Sequence, residues 1–129
     1  MKQEDKDLLL KDLCSRLPYG VKFRYKYPDN FFHESYGTSE LISVRPPYHV
    51  THSTLTGDER LRIEEDEIKP YLFPLSYMTP EQRTSYNFLS NSGHRSFTGL
   101  IDFYHKNHLD WRGLIPKGLA LDATNLNIY

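Results

Sequence analysis

The seven residues from 21 to 27 alternate strictly between apolar and basic side chains, and this run limits the possible folds more than any other. Its apolar members are Val21, Phe23, Tyr25 and Tyr27, and its basic members are Lys22, Arg24 and Lys26. A period of two is typical of a β-strand with one buried and one solvated face, and aromatic residues favour strands. The run therefore predicts a strand whose odd positions face a core.

Shorter strand patterns follow this run and predict a small antiparallel sheet. Residues 41–44 and 48–51 are interpreted as strand fragments, separated by Pro46 and Pro47, which favour an edge, a bulge or a break. A further short strand is expected around residues 61–63. The apolar segment 68–75 contains two prolines, so we interpret it as an ordered, packed connection.

Three segments have helical patterns. Residues 5–17 form an amphipathic pattern that places Cys14 on the apolar face and Asp12 on the solvated face. Thr79 and Gln82 have the spacing of a capping box, which predicts a helix beginning at Pro80 and running to about residue 89. Residues 97–107 predict another helix, and the apolar tail 108–129 is expected to pack back on the body. We therefore predict a single α+β domain spanning residues 1–129.

Composition excludes several classes of protein. The 129 residues suit one domain, and a net charge of −1 provides no overall field toward nucleic acid or anionic lipid. The single cysteine, Cys14, excludes an intramolecular disulfide framework and a multi-cysteine zinc site. The first apolar run, residues 8–10, is too short for a signal sequence or a membrane span, so we expect a cytoplasmic protein without a membrane partner.

Two histidines, His105 and His108, are weak candidates for a metal site, because residues three apart share one face of a helix. Asp102, Asp110 or His94 could supply a further ligand. A solvated helix end explains the two histidines more simply, and the chain lacks the HExxH motif and the G-x-S-x-G nucleophile elbow. We therefore expect no metal, no cofactor and no catalytic residue.

The basic side of the first strand is a candidate anion-binding stripe, formed by Lys22, Arg24 and Lys26. Side chains on alternate strand positions project together and could bind the phosphates of a nucleotide or nucleic acid. Two simpler interpretations remain open. The first is an ordinary solvated face, and the second is pairing of the stripe with the acidic run at residues 64–67.

Aromatic residues are unusually frequent, with ten tyrosines, seven phenylalanines and one tryptophan. Tyrosine combines apolar area with a polar tip and suits protein-binding surfaces. The candidate protein-binding residues are Tyr71, Phe73, Tyr77 and Tyr86, for which ordinary packing is the alternative.

Three segments of the chain resemble a known family. Residues 1–22 (MKQEDKDLLLKDLCSRLPYGVK), 67–76 (EIKPYLFPLS) and 107–123 (NHLDWRGLIPKGLALDA) are similar to a family of small uncharacterised proteins from gut bacteria, their phages and their mobile elements. The resemblance implies a setting in the cytoplasm of a bacterial host and implies no reaction.

These observations give an ordered set of functional hypotheses. The first is a non-catalytic accessory protein of a phage or mobile element that binds a host protein through an aromatic surface. The alternative is a module that binds nucleotide or nucleic acid through the basic strand face, and a metal-dependent enzyme is third. The oligomeric state stays open.

Overall fold

The protein has an α+β fold, as predicted. The computed structural model describes residues 1–26, 36–91 and 97–129. Tyr27 of the predicted first strand and His94 lie outside the described residues. The helices and strands follow one another as α1 (Gln3–Arg16), β1 (Lys22–Lys26), β2 (Tyr36–Glu40), β3 (Ser43–Arg45), β4 (His49–Thr54), β5 (Gly57–Arg62), β6 (Lys69–Leu72), α2 (Pro80–Asn91), α3 (Phe97–Lys106) and β7 (Leu121–Asp122).

The described strands form two sheets. The first has the order β2-β1-β6-β7, in which β1 is antiparallel to both of its neighbours and β6 is parallel to β7. A parallel pair needs a crossover connection, and the chain between β6 and β7 includes α2 and α3. The second sheet is antiparallel with the order β3-β4-β5, and Pro46 and Pro47 lie between β3 and β4.

The segment that we interpreted as a packed connection contains β6, an interior strand of the four-stranded sheet. Pro70, Tyr71 and Leu72 are all buried, so this strand lacks the alternation that identifies β1. Pro70 lies opposite Phe23 of β1, while Tyr71 and Leu72 pair with β7. The strand is short, contains a proline and buries consecutive residues, so its sequence shows no period-two pattern that would predict it.

The buried face of helix α1 overlaps the predicted one at its leucines but extends to Asp12 and Arg16 and leaves out Cys14. Its buried residues are Leu9, Asp12, Leu13 and Arg16, whereas Cys14 is exposed. The prediction was therefore wrong for Asp12, which we placed in solvent, and for Cys14, which we placed on the apolar face. The physical reason is an ion pair: Asp12 and Arg16 neutralise each other inside the protein, so two charged residues occupy core positions.

One hydrophobic cluster joins α1, both sheets and the C-terminal segment. It includes Leu13 of α1, Phe23 of β1, Val50 of β4, Leu61 of β5 and Leu114 of the tail, all of them buried. The tail thus packs back on the body, and Ala123 donates its backbone N–H to the carbonyl of Leu72 over 2.8 Å.

The capping box predicted at the start of α2 is present. Gln82 donates its backbone N–H to Thr79 Oγ1 over 3.1 Å, and Thr79 donates its own to Gln82 Oε1 over 2.9 Å. Among the described residues, no helix combines the length and apolarity needed to cross a membrane.

Candidate functional site

Four rings form a connected group on the surface, which we call the aromatic ledge: Phe73, Tyr77, His108 and Tyr129. Phe73 stacks on Tyr77 with ring centroids 5.3 Å apart, and it also contacts Tyr129 at 5.9 Å. Tyr129 in turn stacks on His108 at 3.6 Å with the two planes 10° apart. Tyr77 is 44% exposed and Tyr129 is 41% exposed. Organised rings with this much free surface provide rigid apolar area for contact.

The ledge is assembled where β6 ends. Phe73 donates its backbone N–H to the carbonyl of His108 over 2.8 Å, and Asp110 donates its own to the carbonyl of Phe73 over 2.8 Å. After Pro74 the chain turns through a short 3-10 helix, Leu75–Tyr77, which carries the Tyr77 ring back toward Phe73. The ledge is therefore fixed by backbone hydrogen bonds.

The hydroxyl of Tyr129 ties the end of the chain to the four-stranded sheet. It donates to the carbonyl of Tyr71 over 2.7 Å and accepts the backbone N–H of Lys22 over 2.9 Å. Burial of this hydroxyl raises the pKa of Tyr129, so the hydroxyl stays protonated and keeps donating at neutral pH.

Two exposed leucines lie on segments that also carry rings of the ledge. Leu75 is 38% exposed beside Tyr77, and Leu126 is 51% exposed in the segment that ends with Tyr129. Exposed leucines of this kind add to the apolar surface that a partner can contact.

The four predicted protein-binding residues divide between this surface and the interior. Phe73 and Tyr77 lie together on the ledge. Tyr71 is buried, with its hydroxyl 3.4 Å from Thr38 Oγ1. Tyr86 is half-buried on α2, where its ring lies 6.5 Å from Phe103 and 6.4 Å from Tyr104 of α3. Sequence patterns did not select Tyr129, and they selected His108 only as a weak metal candidate, because no local pattern shows that the tail returns to β6.

The candidate anion-binding residues of β1 each have an internal partner. Lys22 donates to the carbonyl of Ile128 over 2.9 Å, and Lys26 lies 3.6 Å from Glu67. The guanidinium of Arg24 lies 4.1 Å above the ring of Tyr36. Since Glu67 belongs to the acidic run at 64–67, one of the simpler interpretations holds for Lys26.

A buried polar network lies behind the ledge. Asp12 and Arg16 bond over 2.8 Å with no exposed side-chain surface, and Arg16 Nη2 donates to the carbonyl of Leu109 over 2.7 Å. Arg112 Nη1 lies 3.5 Å from the other oxygen of Asp12. Burial raises the pKa of Asp12, while Arg16 and Arg112 oppose that shift. The network attaches α1 to the tail next to His108.

The two weak metal candidates, His105 and His108, are separately engaged. His105 is buried, and its Nε2 accepts a hydrogen bond from Trp111 Nε1 over 3.0 Å, whereas His108 stacks on Tyr129. Burial lowers the pKa of each to about 4, and Arg16 lowers both further. Within residues 1–26, 36–91 and 97–129, no three His, Cys, Asp or Glu side chains are grouped to hold a metal ion.

The carboxylates considered beside these histidines have structural partners. Asp110 accepts backbone N–H groups from Leu114 over 2.7 Å and from Ile115 over 2.9 Å, so it caps the turn that follows it. Asp102 accepts a hydrogen bond from the hydroxyl of Tyr19 over 3.1 Å.

Comparisons with protein-family models, with curated proteins and with solved structures give no match to this chain.

Proposed function

We propose that the protein is a non-catalytic accessory protein of a phage or mobile element, and that it binds a protein of the bacterial host cytoplasm through the aromatic ledge. The observation that carries the proposal is the ring group itself, in which Phe73 joins the exposed Tyr77 to the exposed Tyr129. The phage or mobile-element setting rests on the resemblance of the three sequence segments.

The ledge favours a partner that inserts apolar side chains. Aromatic residues held rigidly lose little conformational entropy on binding and are frequent among the residues that dominate binding energy. The non-catalytic part of the proposal is supported by the engagement of His105 with Trp111 and of Asp110 with the following turn. The nucleic-acid alternative through Lys22, Arg24 and Lys26 has less support, because each has an internal partner.

A photocrosslinking experiment tests this proposal. A photoreactive phenylalanine analogue replaces Tyr77 in the protein expressed in a gut bacterium, and a second version carries it at Phe88. Phe88 is the matched control, because it is an aromatic residue with 73% exposure on α2. We expect a covalent adduct with one host protein from position 77 and none from position 88.

The purified pair then provides the affinity test. Tyr77→Ser should weaken binding at least 10-fold, as truncation of a dominant aromatic contact does, and Phe88→Ser should leave it unchanged. The affinity should also persist at raised salt, since the contact is apolar. An adduct only with a second copy of the chain, or equal losses for both variants, would contradict the proposal.

A further inference from the structure

The outer face of the three-stranded sheet carries three arginines, which we call the arginine face: Arg45, Arg60 and Arg62. Val50, His52 and Leu61 are buried on the opposite side of the same sheet, so alternation places these three side chains outward. All three arginines are exposed. The sequence pattern did not predict that these arginines share a face, because β3 has only three residues and β5 is largely exposed.

The strand register brings the arginines into one arrangement. Arg45 and Arg62 both lie opposite His49, one on each side of the central strand β4. Arg60 lies two residues from Arg62 on β5, which separates them by about 6.5–7 Å along the strand. Neighbouring strands are about 4.8 Å apart, so Arg45 and Arg62 stand about 10 Å apart across the sheet. The arginines therefore occupy both edges of the face.

The middle of the face carries the imidazole of His49 between Arg45 and Arg62, and the hydroxyl of Thr51 on the same strand. Thr51 lies opposite both Ser43 and Arg60, and the hydroxyls of Ser43 and Thr51 are hydrogen-bonded to each other. The arginines therefore flank a polar strip that consists of the imidazole of His49 and the hydroxyls of Ser43 and Thr51.

The three guanidinium groups have no ion pair or hydrogen bond within the part of the chain that the structure describes. This differs from β1, where Lys22, Arg24 and Lys26 all have partners. Cross-strand positions in a solvated sheet favour pairs of opposite charge, and like charges close together destabilise it. An external anion would supply the missing negative charge.

The acidic residues near the arginine face are mostly engaged, and one of them, Asp66, accepts the backbone N–H of Arg62 over 2.6 Å. Asp58 lies at the far end of β5, with Oδ1 accepting a hydrogen bond from Ser53 over 3.4 Å. Glu64 binds Lys6 over 2.5 Å and the amino group of Met1 over 2.8 Å. Glu65 is exposed and, with His49 and Arg62, lines a shallow hollow of about 300 Å³ at one end of the arginine face. Glu65 therefore limits how far the positive surface extends.

We propose that the arginine face binds the phosphate backbone of double-stranded nucleic acid without reading its sequence. Arginine presents a planar fork that matches phosphate oxygens, and three such groups lie on one exposed face of the sheet. Single-strand binders stack bases on aromatic side chains, and the outward positions of β3, β4 and β5 carry no Phe, Tyr or Trp. The site is separate from the aromatic ledge and does not depend on it.

Salt dependence measures the proposed contacts directly. Three phosphates released from their counterions give a slope of about −2.7 in log affinity against log salt, from about −0.9 for each phosphate. The affinity for a 20-base-pair DNA duplex should therefore fall about 40-fold between 50 and 200 mM salt. Fluorescence anisotropy with a labelled duplex provides the measurement.

Variants of the full chain test whether duplex binding depends on these three arginines or only on the net charge of the protein. Arg45→Gln, Arg60→Gln and Arg62→Gln combined should abolish binding at 50 mM salt, and each single change should reduce the slope to about −1.8. The control combines Arg83→Gln, Lys106→Gln and Lys117→Gln, three exposed residues elsewhere, with the same change in net charge; it should keep the duplex affinity within about 2-fold. Replacing the three arginines by lysines should keep the slope, and Glu65→Gln should tighten binding.

Competitors identify the polymer that the face recognises. Unlabelled duplex should displace the labelled duplex at lower concentration than single-stranded DNA or polyglutamate of equal charge. Equal competition by polyglutamate would overturn the proposal in favour of an acidic protein partner, and tighter binding of single strands would overturn the duplex assignment. Equal weakening by the arginine and control triple variants would also overturn it. Circular dichroism of each variant establishes that it is folded.

Discussion

Asp12 and Arg16 lie one turn apart on α1, and both side chains are completely buried. Arg16 also donates to the carbonyl of Leu109, and its Nη1 has no hydrogen-bond partner in the described part of the chain. Removing two charges from water is expensive, so the pair is stable only because each charge meets the other at short range. At the residue scale, this pair selects which face of α1 is buried.

We predict that breaking the pair is much worse than replacing it. Arg16→Met should lower the free energy of unfolding by about 3–5 kcal/mol, because it leaves the Asp12 carboxylate buried without its closest partner. The double variant Asp12→Leu with Arg16→Met should lose less than the two single changes summed. Urea unfolding of all four proteins measures this coupling.

Lys11→Met is the matched control for that cycle, because Lys11 is exposed on the same helix. Its free energy of unfolding should stay within about 0.5 kcal/mol of the parent value. Strictly additive losses in the double variant would contradict the role of the pair.

His105 makes the stability depend on pH. Its pKa of about 4 in the folded protein lies below the ordinary value of 6.5, chiefly because the ring is buried. Between these values the unfolded chain binds a proton that the folded chain does not, so stability falls as the pH falls from 6.5 toward 4. The stability that the folded protein gains from a neutral His105 is fully present above pH 6.5.

We therefore predict that His105→Gln reduces the loss of stability between pH 7 and pH 4.5 by about 1–3 kcal/mol. Glutamine keeps an acceptor for the Trp111 N–H and has no proton to gain in this range. Urea unfolding at several pH values measures the difference. Above pH 7 the two stability curves should run parallel, and curves that stay parallel down to pH 4.5 would contradict the prediction.

At the scale of helices and strands, the predictions succeed where the signal is local. The alternation around β1 and the Thr79–Gln82 capping box depend on neighbouring residues, and both are found in the structure. The strand β6 was not predicted, because Pro70, Tyr71 and Leu72 are buried in succession. The predicted face of α1 was wrong for Asp12 and Cys14, because hydropathy does not show that Asp12 will meet Arg16.

The residues of the candidate surfaces also differ in whether a local sequence signal could identify them. Phe73 and Tyr77 are close in sequence, so composition alone could select them. Tyr129 reaches the ledge through hydrogen bonds to Lys22 and Tyr71, which lie far away in sequence. The arginine face likewise depends on the register that places Arg45 and Arg62 on either side of His49. Long-range pairing of this kind has no short sequence signature.

For the molecule as a whole, the two sheets share one core. Leu13 of α1 is completely buried in a cluster that contains Phe23 and Leu72 of the four-stranded sheet and Val50 and Leu61 of the three-stranded sheet. Neither sheet has a separate hydrophobic cluster among the buried residues of the described chain. Sheets that share a core should unfold together, which is how the predicted single domain would behave.

We predict that both sheets and the tail unfold in one transition. Trp111 is the single tryptophan, so its fluorescence reports the C-terminal segment, while hydrogen exchange of the β4 amides reports the three-stranded sheet. Leu13→Ala should lower the free energy of unfolding by about 2–5 kcal/mol and shift both urea midpoints equally, because the cavity lies in the shared core. Leu55→Ala is the control, because Leu55 is completely exposed in the turn between β4 and β5 and should shift neither midpoint. If β4 lost its protection at lower urea than Trp111 changed its fluorescence, the three-stranded sheet would be a separate unit, and the shared cluster would not couple it to the rest of the chain.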